Sequence, residues 1–155
     1  MKNFDLSRFP KVLAVTFLTL LFLLNVNALT AQTTNASDDH FTIESYYKVK
    51  WGYAQEFINL WTANHYPLQK KAMENGDIIS IVAEKPREHS GEDTRWDFRV
   101  SIVFKNAAAA FDENLTTPYT KELYPDQEAL KNAEQHRFEL LLAHWDIQTE
   151  AAPVN

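Results

Sequence analysis

Two segments of the chain alternate apolar and polar residues with the period of a β-strand. In residues 41–51, FTIESYYKVKW, the odd-numbered positions are apolar with one exception and the even-numbered positions are mostly polar. Residues 95–106, RWDFRVSIVFKN, show the same pattern, with Trp96 first on the apolar side. Because successive side chains of a strand point to opposite faces, each segment is predicted to be a strand with one apolar face. Two shorter strands are predicted at residues 77–85 and 144–150.

The segments between these strands show the periodicity of a helix. The first helix is predicted over residues 53–75, and the second from about residue 126 to residue 143. Gly76 follows the first helix at a position suited to a left-handed cap, and Asn106 is predicted to cap a short additional helix. The apolar arc of the first helix comprises Phe57, Leu60, Trp61, Leu68 and Ala72.

The predicted order of elements is β-α-β-β-α-β, which places the chain in the α+β class. Two right-handed β-α-β crossovers of this kind form the ferredoxin-like arrangement, a four-stranded antiparallel sheet with two helices on one face. The other face is open and carries bulky residues, with Tyr46 and Val103 as candidates. Because such a face is costly to leave in water, we expect two copies to pair sheet against sheet as a twofold homodimer.

The first 31 residues have the layout of a secretory signal peptide. A basic start is followed by an uncharged apolar core, Val12–Leu24, and then by small residues. We expect cleavage after Ala31, with cleavage after Ala28 as the alternative, and a secreted or periplasmic product that meets a membrane only transiently through this leader. An uncleaved anchor is less favoured because 13 apolar residues are short for a bilayer.

The rest of the chain is predicted to hold one domain. Residues 32–40 form a polar, disordered tether, residues 41–150 form the domain and residues 151–155 form a frayed tail. The leader holds three of the 15 basic residues and one of the 21 acidic residues, so the mature chain has 12 against 20, a net charge of −8. Nucleic acid is therefore not an expected partner.

Several common chemistries are not indicated by the residue types present. The sequence contains no cysteine, which removes thiol nucleophiles and disulfides, and it contains no glycine-rich phosphate loop. Its five histidines have no metal-binding spacing, so no metal site is predicted. Ten phenylalanines and four tryptophans suit either a packed core or an aromatic ligand pocket.

The motifs HYP, at residues 65–67, and WDFRVSIVFKN, at residues 96–106, resemble the dimeric α/β-barrel superfamily. This superfamily includes EthD-like, NIPSNAP-like and antibiotic-biosynthesis-monooxygenase-like proteins, and the resemblance spans roughly residues 43–150. EthD-like chains often carry a His-x-Pro in the first helix, which residues 65–67 match. The resemblance implies a dimer whose members differ in chemistry, since some are cofactor-free oxygenases and some bind haem, so it implies no single reaction.

Pro67 lies inside the predicted first helix, two residues after His65. An interior proline removes one backbone hydrogen bond, here to the carbonyl of Ala63, and costs about 3 kcal/mol. We expect a kink that opens a gap lined by His65 and Asn64, the predicted catalytic residues, with Trp61 as a ligand contact. Two simpler interpretations stay open: His65 satisfies the freed backbone, or Pro67 marks a break between two stacked helices.

Three further polar residues lie among apolar ones and are predicted to contact the ligand. Arg137 falls on the inner face of the second helix, where its guanidinium requires a partner such as Glu134 or Asp97; a structural ion pair is the alternative role. Arg99 lies mid-strand and points either into the dimer interface or into the pocket. His144, where the second helix passes into the last strand, contacts either the ligand or the helix end.

Three functions are consistent with these features. The first is a module that binds an apolar or aromatic small molecule between helices and sheet, without a cofactor. The second is a cofactor-free oxygenase or isomerase in which His65 is a base or donor and Asn64 or Arg99 stabilises an enolate or phenolate. Haem binding through His65 is a variant of this second function. The third is a structural or assembly role.

Overall fold

The computed structural model describes residues 39–88 and 90–152. The predicted leader, most of the predicted tether and residues 153–155 lie outside the described residues, so the expectations for them stay predictions. Within the described part of the chain, no helix is long and apolar enough to cross a membrane. The elements are β1 Phe41–Val49, α1 Ala54–Asn64, α2 Tyr66–Glu74, β2 Ile78–Glu84, β3 Phe98–Phe104, α3 Ala107–Ala110, α4 Thr117–Leu123, α5 Gln127–Glu139 and β4 Leu141–Thr149.

The four strands form one antiparallel sheet in the order β2-β3-β1-β4. This order, with the helices on one side, is the predicted ferredoxin-like fold and confirms it. In the register of the sheet, Tyr47 of β1 lies between Phe98 of β3 and His144 of β4. Because paired residues share a face, these three side chains lie on the same side of the sheet.

The apolar face of the sheet packs under α1 and α2 to form a single core. The alternating residues of β3, from Phe98 to Phe104, are at most 7% exposed, as their pattern predicts. Phe57 of α1 and Ala72 of α2 are fully buried against them. Other buried members of the core are Val49, Trp61, Leu68, Ile78, Leu130 and Leu140.

Local signals end and begin the helices where the sequence indicates. Gly76 has a positive φ of 83°, and its N–H donates to Met73, while the next N–H donates to Ala72. These two bonds form the Schellman motif that a glycine favours, and they confirm the predicted cap. Asn106 and Asp126 cap α3 and α5 by accepting backbone hydrogen bonds at 2.9 Å.

The second long helix ends earlier than predicted. Helix α5 stops at Glu139, and β4 begins at Leu141 instead of at residue 144. The backbone N–H of Lys50 donates to the carbonyl of Leu140 at 2.9 Å, and Leu141 pairs with Val49. Residues after Leu140 have the periodicity of a helix, but they belong to the sheet because they pair with β1.

A buried arginine joins the end of β1 to the start of β3. Arg95 is 3% exposed and donates to both carboxylate oxygens of Asp97, at 2.8 and 2.9 Å, and to the carbonyl of Val49 at 3.1 Å. Asp97 in turn accepts from the N–H of Val49 at 2.8 Å. Trp51 covers the guanidinium, with its ring centroid 4.1 Å away, and Glu92 completes the ion pairs.

No helix of the described residues covers the other face of the sheet, which holds both apolar and charged side chains. Val82, Trp145 and Ile147 on this open face are 51%, 36% and 44% exposed. Tyr46 stacks on Trp145 at 5.4 Å. Trp96 also packs edge-on against Tyr46, so the prediction that it shares the face of Phe98 is wrong, because β3 begins only at Phe98 and alternation does not extend to residue 96.

Candidate functional site

The predicted first helix is divided at His65 into α1 and α2. His65 keeps a near-helical backbone, with φ −106° and ψ −46°, and its N–H donates to the carbonyl of Trp61 at 2.9 Å. Pro67 is the second residue of α2, where a missing N–H costs nothing because the first turn has no intrahelical acceptor for it. The predicted kink in one continuous helix is therefore wrong, and the alternative of a break between two helices is confirmed.

The break leaves one backbone acceptor to be satisfied from elsewhere. In a continuous helix the carbonyl of Ala63 would accept from residue 67, which is a proline. The hydroxyl of Tyr124, just after α4, donates to this carbonyl at 2.7 Å. Tyr124, and not His65, therefore satisfies the freed backbone.

Five side chains from four elements and the break lie close together, one of them a buried arginine, and we refer to them as the Arg137 cluster. They are Tyr47 of β1, Trp61 of α1, His65 at the break, Arg137 of α5 and His144 of β4. The rings of Tyr47 and His144 stack at 4.4 Å with an angle of 7°, and those of Trp61 and His65 lie 5.8 Å apart. The charge of Arg137 is close enough to shift the pKa values of both Tyr47 and His65.

His65 is held in its neutral form. Burial is the largest cause that lowers its pKa to about 4, and the electrostatic effects of Arg137 and His144 contribute to the same shift. The imidazole is therefore uncharged near pH 7, with one ring nitrogen able to donate a hydrogen bond and the other able to accept one. A conjugate acid with this pKa also makes His65 a weak base at neutral pH.

Arg137 is buried without the carboxylate partner that the sequence led us to expect. It is 5% exposed, and within the described residues no carboxylate lies within ion-pair distance of it. Glu134 acts on its pKa only from a distance, and Asp97 is engaged by Arg95, so both predicted pairings are wrong. Burial lowers the pKa of Arg137, and its guanidinium carbon lies 4.9 Å from the ring centroid of Phe138 and 6.0 Å from that of Phe57.

Two buried donors of the cluster lack an acceptor in the described structure. They are Nε of Arg137 and the indole Nε1 of Trp61. Trp61 lowers the pKa of Tyr47, so its indole lies near that hydroxyl, although without the geometry of a hydrogen bond. Buried polar groups are nearly always paired, so two unpaired donors in one cluster are unusual.

Tyr47 belongs to the cluster, although its position in the sequence pattern does not indicate a functional role. It is 6% exposed, and burial raises the pKa of its hydroxyl despite the opposing effects of Ser45 and Arg137. An aromatic residue on the apolar side of a strand is indistinguishable from a core residue by pattern alone. A role for Tyr47 is indicated only by the pairing of β1 with β4, which places His144 opposite Tyr47.

Arg99 lies on the open face and not in the cluster, which resolves the two orientations left open above. Its guanidinium pairs with Glu84 and, at 3.6 Å, with Glu44, and it donates to the hydroxyl of Tyr46 at 3.4 Å. The hydrogen bonds that Arg99 donates to Tyr46 and Glu84 raise its pKa. An arginine held in this way does not reach the side of the sheet that carries His65.

Asn64 and His144 complete the set of predicted residues. Asn64 is the last residue of α1 and is half-buried, and no contact of its side chain places it in the cluster. His144 lies within β4, so it does not contact a helix end as the simpler interpretation expected. Its Nε2 lies 3.3 Å from Asp146.

The clefts lined by described residues that we identify lie outside the cluster. One of about 410 Å³ is bordered by Asp77, Lys105 and Tyr119, and two of about 230 and 280 Å³ lie along α1 beside Ile58. His65 is half-buried and His144 is partly exposed, so solvent contacts the Arg137 cluster at these two side chains. Among the described residues, no three histidine, aspartate or glutamate side chains are placed to hold a metal ion.

Comparison with known proteins yields similar folds only. No family model matches the chain, and no curated protein matches its sequence. Similar solved structures include SnoaB, a cofactor-independent oxygenase from Streptomyces nogalater, with 11% identity over 75% of this chain and 96% of that chain, at a TM-score of 0.44. A dimeric ferredoxin-like protein of unknown function from Bacteroides fragilis has 10% identity over 73% and 97%, at 0.43.

A third similar structure is an uncharacterized NIPSNAP domain protein from Burkholderia xenovorans, with 9% identity over 73% of this chain and 94% of that chain, at a TM-score of 0.38. NIPSNAP-like proteins are among the groups named in the resemblance above. Identities near 10% carry no residue roles or chemistry to this chain.

Proposed function

We propose that this chain is an exported homodimer that binds a small molecule with an aromatic or apolar body at the Arg137 cluster, between helices and sheet. The observation that carries the proposal is the pair of unpaired buried donors, on Arg137 and Trp61. Since nearly all buried donors have partners, a molecule from outside the described residues is the simplest source of the missing acceptors.

The surroundings of these donors suit an aromatic or apolar ligand body. Tyr47 and Trp61 lie within 6 Å of Phe98 by ring centroids, and Phe138 covers the guanidinium of Arg137 while remaining 55% exposed. Ligand sites typically combine such apolar walls with a few placed polar groups. No described cleft reaches the cluster, so the ligand enters by displacing exposed groups such as Phe138.

The homodimer is proposed from the open face of the sheet. Its apolar residues Val82, Trp145 and Ile147 are between 36% and 51% exposed. Its charged Arg99 is already paired within the same face, so covering it with a second copy would leave no isolated charge in the interface. A second copy of the same face is therefore a fitting partner, because it offers the same apolar area and its arginine is likewise already paired.

Export is proposed from the leader alone. If the leader is removed as expected, protein recovered from the medium or the periplasm begins at Gln32, or at Leu29 if cleavage follows Ala28. Intact mass measurement distinguishes these two products. Recovery of the full 155-residue chain in the membrane fraction would overturn the proposal of a cleaved leader.

An enzymatic role has weaker support than binding. His65, with its pKa lowered to about 4, is poorly matched to proton abstraction at neutral pH. Its neutral ring is better suited to hydrogen bonding. Haem binding through His65 would require a large cleft beside the ring, and the clefts of about 230 to 410 Å³ described above do not include it.

The binding proposal is tested by NMR with small aromatic probes. We expect benzamide, 1-naphthamide, benzoate or 1-naphthoate to shift the backbone amide signals of residues near Tyr47, Trp61 and His65. The Tyr47→Phe variant removes one hydroxyl and keeps the stacked ring, and it should weaken binding. Tyr53→Phe, the same change at an exposed tyrosine outside the cluster, should not. Shifts confined to other surfaces, or no shifts with any probe, would overturn the proposal.

A further inference from the structure

Arg137 carries a buried positive charge, and among the described residues no carboxylate lies within ion-pair distance of it. We propose that the ligand of this site is an organic carboxylate, with its carboxylate group bound by Arg137 and its apolar body against the neighbouring rings. This inference rests on the proposed function and adds the chemical class of the ligand. It differs from that function by requiring a negative charge.

The cost of an unpaired buried cation is the first argument. Arg137 is 95% removed from solvent, since it is 5% exposed, and arginine stays charged at any physiological pH. Removing one member of a buried ion pair is strongly destabilising, because the other charge is left alone. A buried charge that has no partner within the protein is a favourable binding site for an anionic ligand.

The groups that face Arg137 do not supply that anion. From β1 the facing group is the hydroxyl of Tyr47, and from the break it is neutral His65. From β4 it is His144, whose nearest carboxylate, Asp146, already accepts from Ser45 at 2.6 Å. On α5 itself, Glu134 lies beyond ion-pair distance. Within the described residues, Arg137 therefore has no carboxylate paired with it, and Glu134 acts on it only from a distance.

The arrangement of donors favours a carboxylate over larger anions. A planar carboxylate accepts two parallel hydrogen bonds from one guanidinium, and a further N–H from Trp61 is available in the same cluster. A phosphate group carries nearly two negative charges at neutral pH and is usually met by several cations or by a helix N-terminus. The single guanidinium and the neutral donors here match a single negative charge.

The apolar surroundings place the carboxylate on an aromatic or aliphatic body. The guanidinium of Arg137 lies over the ring of Phe138 at 4.9 Å and near that of Phe57 at 6.0 Å. Stacking against these rings leaves the N–H edge of the guanidinium for the ligand. A small inorganic anion would satisfy the charge but would leave the exposed ring of Phe138 uncovered.

The test compares each acid with its neutral amide, using benzoate against benzamide and 1-naphthoate against 1-naphthamide. The protein is used whole apart from any leader that is removed. We expect it to bind an acid at least tenfold more tightly than the matching amide by calorimetry or NMR titration. Arg137→Gln should weaken acid binding by a factor at least tenfold larger than the factor by which it weakens amide binding. Lys131→Gln, which removes an exposed charge from the same helix, should change neither.

The outcomes separate the two proposals. Equal binding of acid and amide, or equal loss of both in Arg137→Gln, would overturn the carboxylate inference and leave the binding function standing. Binding of neither probe at the cluster would overturn both. If Arg137→Gln does not fold, the His65 resonance of the unmodified protein gives the answer, because a bound carboxylate must raise the pKa of that ring and a bound amide must not.

Discussion

The hydroxyl of Tyr124 donates a hydrogen bond to the carbonyl of Ala63 at 2.7 Å, across 61 residues of sequence. This carbonyl is the one that Pro67 leaves without an intrahelical donor. A side chain from beyond α4 therefore stabilises the junction at which α1 ends, α2 begins and His65 is presented to the Arg137 cluster.

Replacing Tyr124 with phenylalanine should destabilise this junction. We expect the free energy of unfolding to fall by about 0.5–1 kcal/mol, at the low end for a lost hydrogen bond because Ala63 is exposed and water can replace the hydroxyl. Urea denaturation at fixed protein concentration measures the change. Tyr119→Phe, in the same region of the chain, is the control and should have a smaller effect; equal losses would contradict the role of this bond.

The folded protein should lose stability as the pH falls, because of His65. The ring has a pKa of about 4 when folded and an ordinary value near 6.5 when unfolded, so between these values the unfolded chain binds more protons. The loss therefore begins below about pH 6.5 and is complete near pH 4, with an upper limit of roughly 3 kcal/mol.

The pH dependence is measured by urea unfolding from pH 7.5 to pH 4 and by NMR titration of the ring. His65→Gln should remove most of the slope in this range. His136→Gln, at an exposed histidine that pairs with Glu56 at 2.7 Å, serves as the control for removing a histidine. An unchanged slope in His65→Gln would show that other groups cause the loss.

Replacing Arg137 with methionine should stabilise the ligand-free protein. Methionine keeps much of the side-chain volume and removes a buried, unpaired charge, so we expect a gain of about 1–2 kcal/mol. The same change should raise the pKa of His65, since Arg137 contributes to lowering it. Urea denaturation and NMR titration measure the two effects.

The control for this prediction is Lys131→Met on the exposed side of α5, which should change the free energy of unfolding by less than about 0.5 kcal/mol. A loss of several kcal/mol in Arg137→Met would mean that the guanidinium has a strong partner. In that case the argument for an anionic ligand would lose its basis.

The proposed dimer should separate when a charge is placed on the open face. Ile147→Glu adds a carboxylate to a residue that is 44% exposed and lies beside paired charges. We expect the native protein to sediment as a dimer and this variant to sediment as a monomer with an unchanged circular dichroism spectrum. Phe111→Glu, at an exposed residue beyond the sheet, should remain a dimer. A monomeric native protein would overturn the proposal.

The features that the sequence predicted correctly depend on local patterns. The alternation of β3 fixes which side chains are buried, and Gly76 adopts the backbone conformation that only glycine adopts readily. The burial of Arg137 follows from its position on the apolar arc of α5. In each case, neighbours along the chain contain the information.

The features that the sequence missed depend on which segments meet. Helix α5 ends early because β1 recruits Leu141, and Tyr124 reaches Ala63 only because α4 packs near the helix break. The partner of Arg137 was sought among nearby carboxylates, but Asp97 is engaged by Arg95. Which carboxylate pairs with which arginine depends on the tertiary structure, so it cannot be predicted from the periodicity of the sequence.

Arg95 ties the last residue of β1 to the first residues before β3, and it does so with hydrogen bonds and charge rather than sulfur. Because the 155-residue sequence contains no thiol, this connection forms without an oxidant and is not broken by reducing agents. The pairing of the two central strands is therefore set by an interaction that reforms each time the chain refolds, in any redox environment.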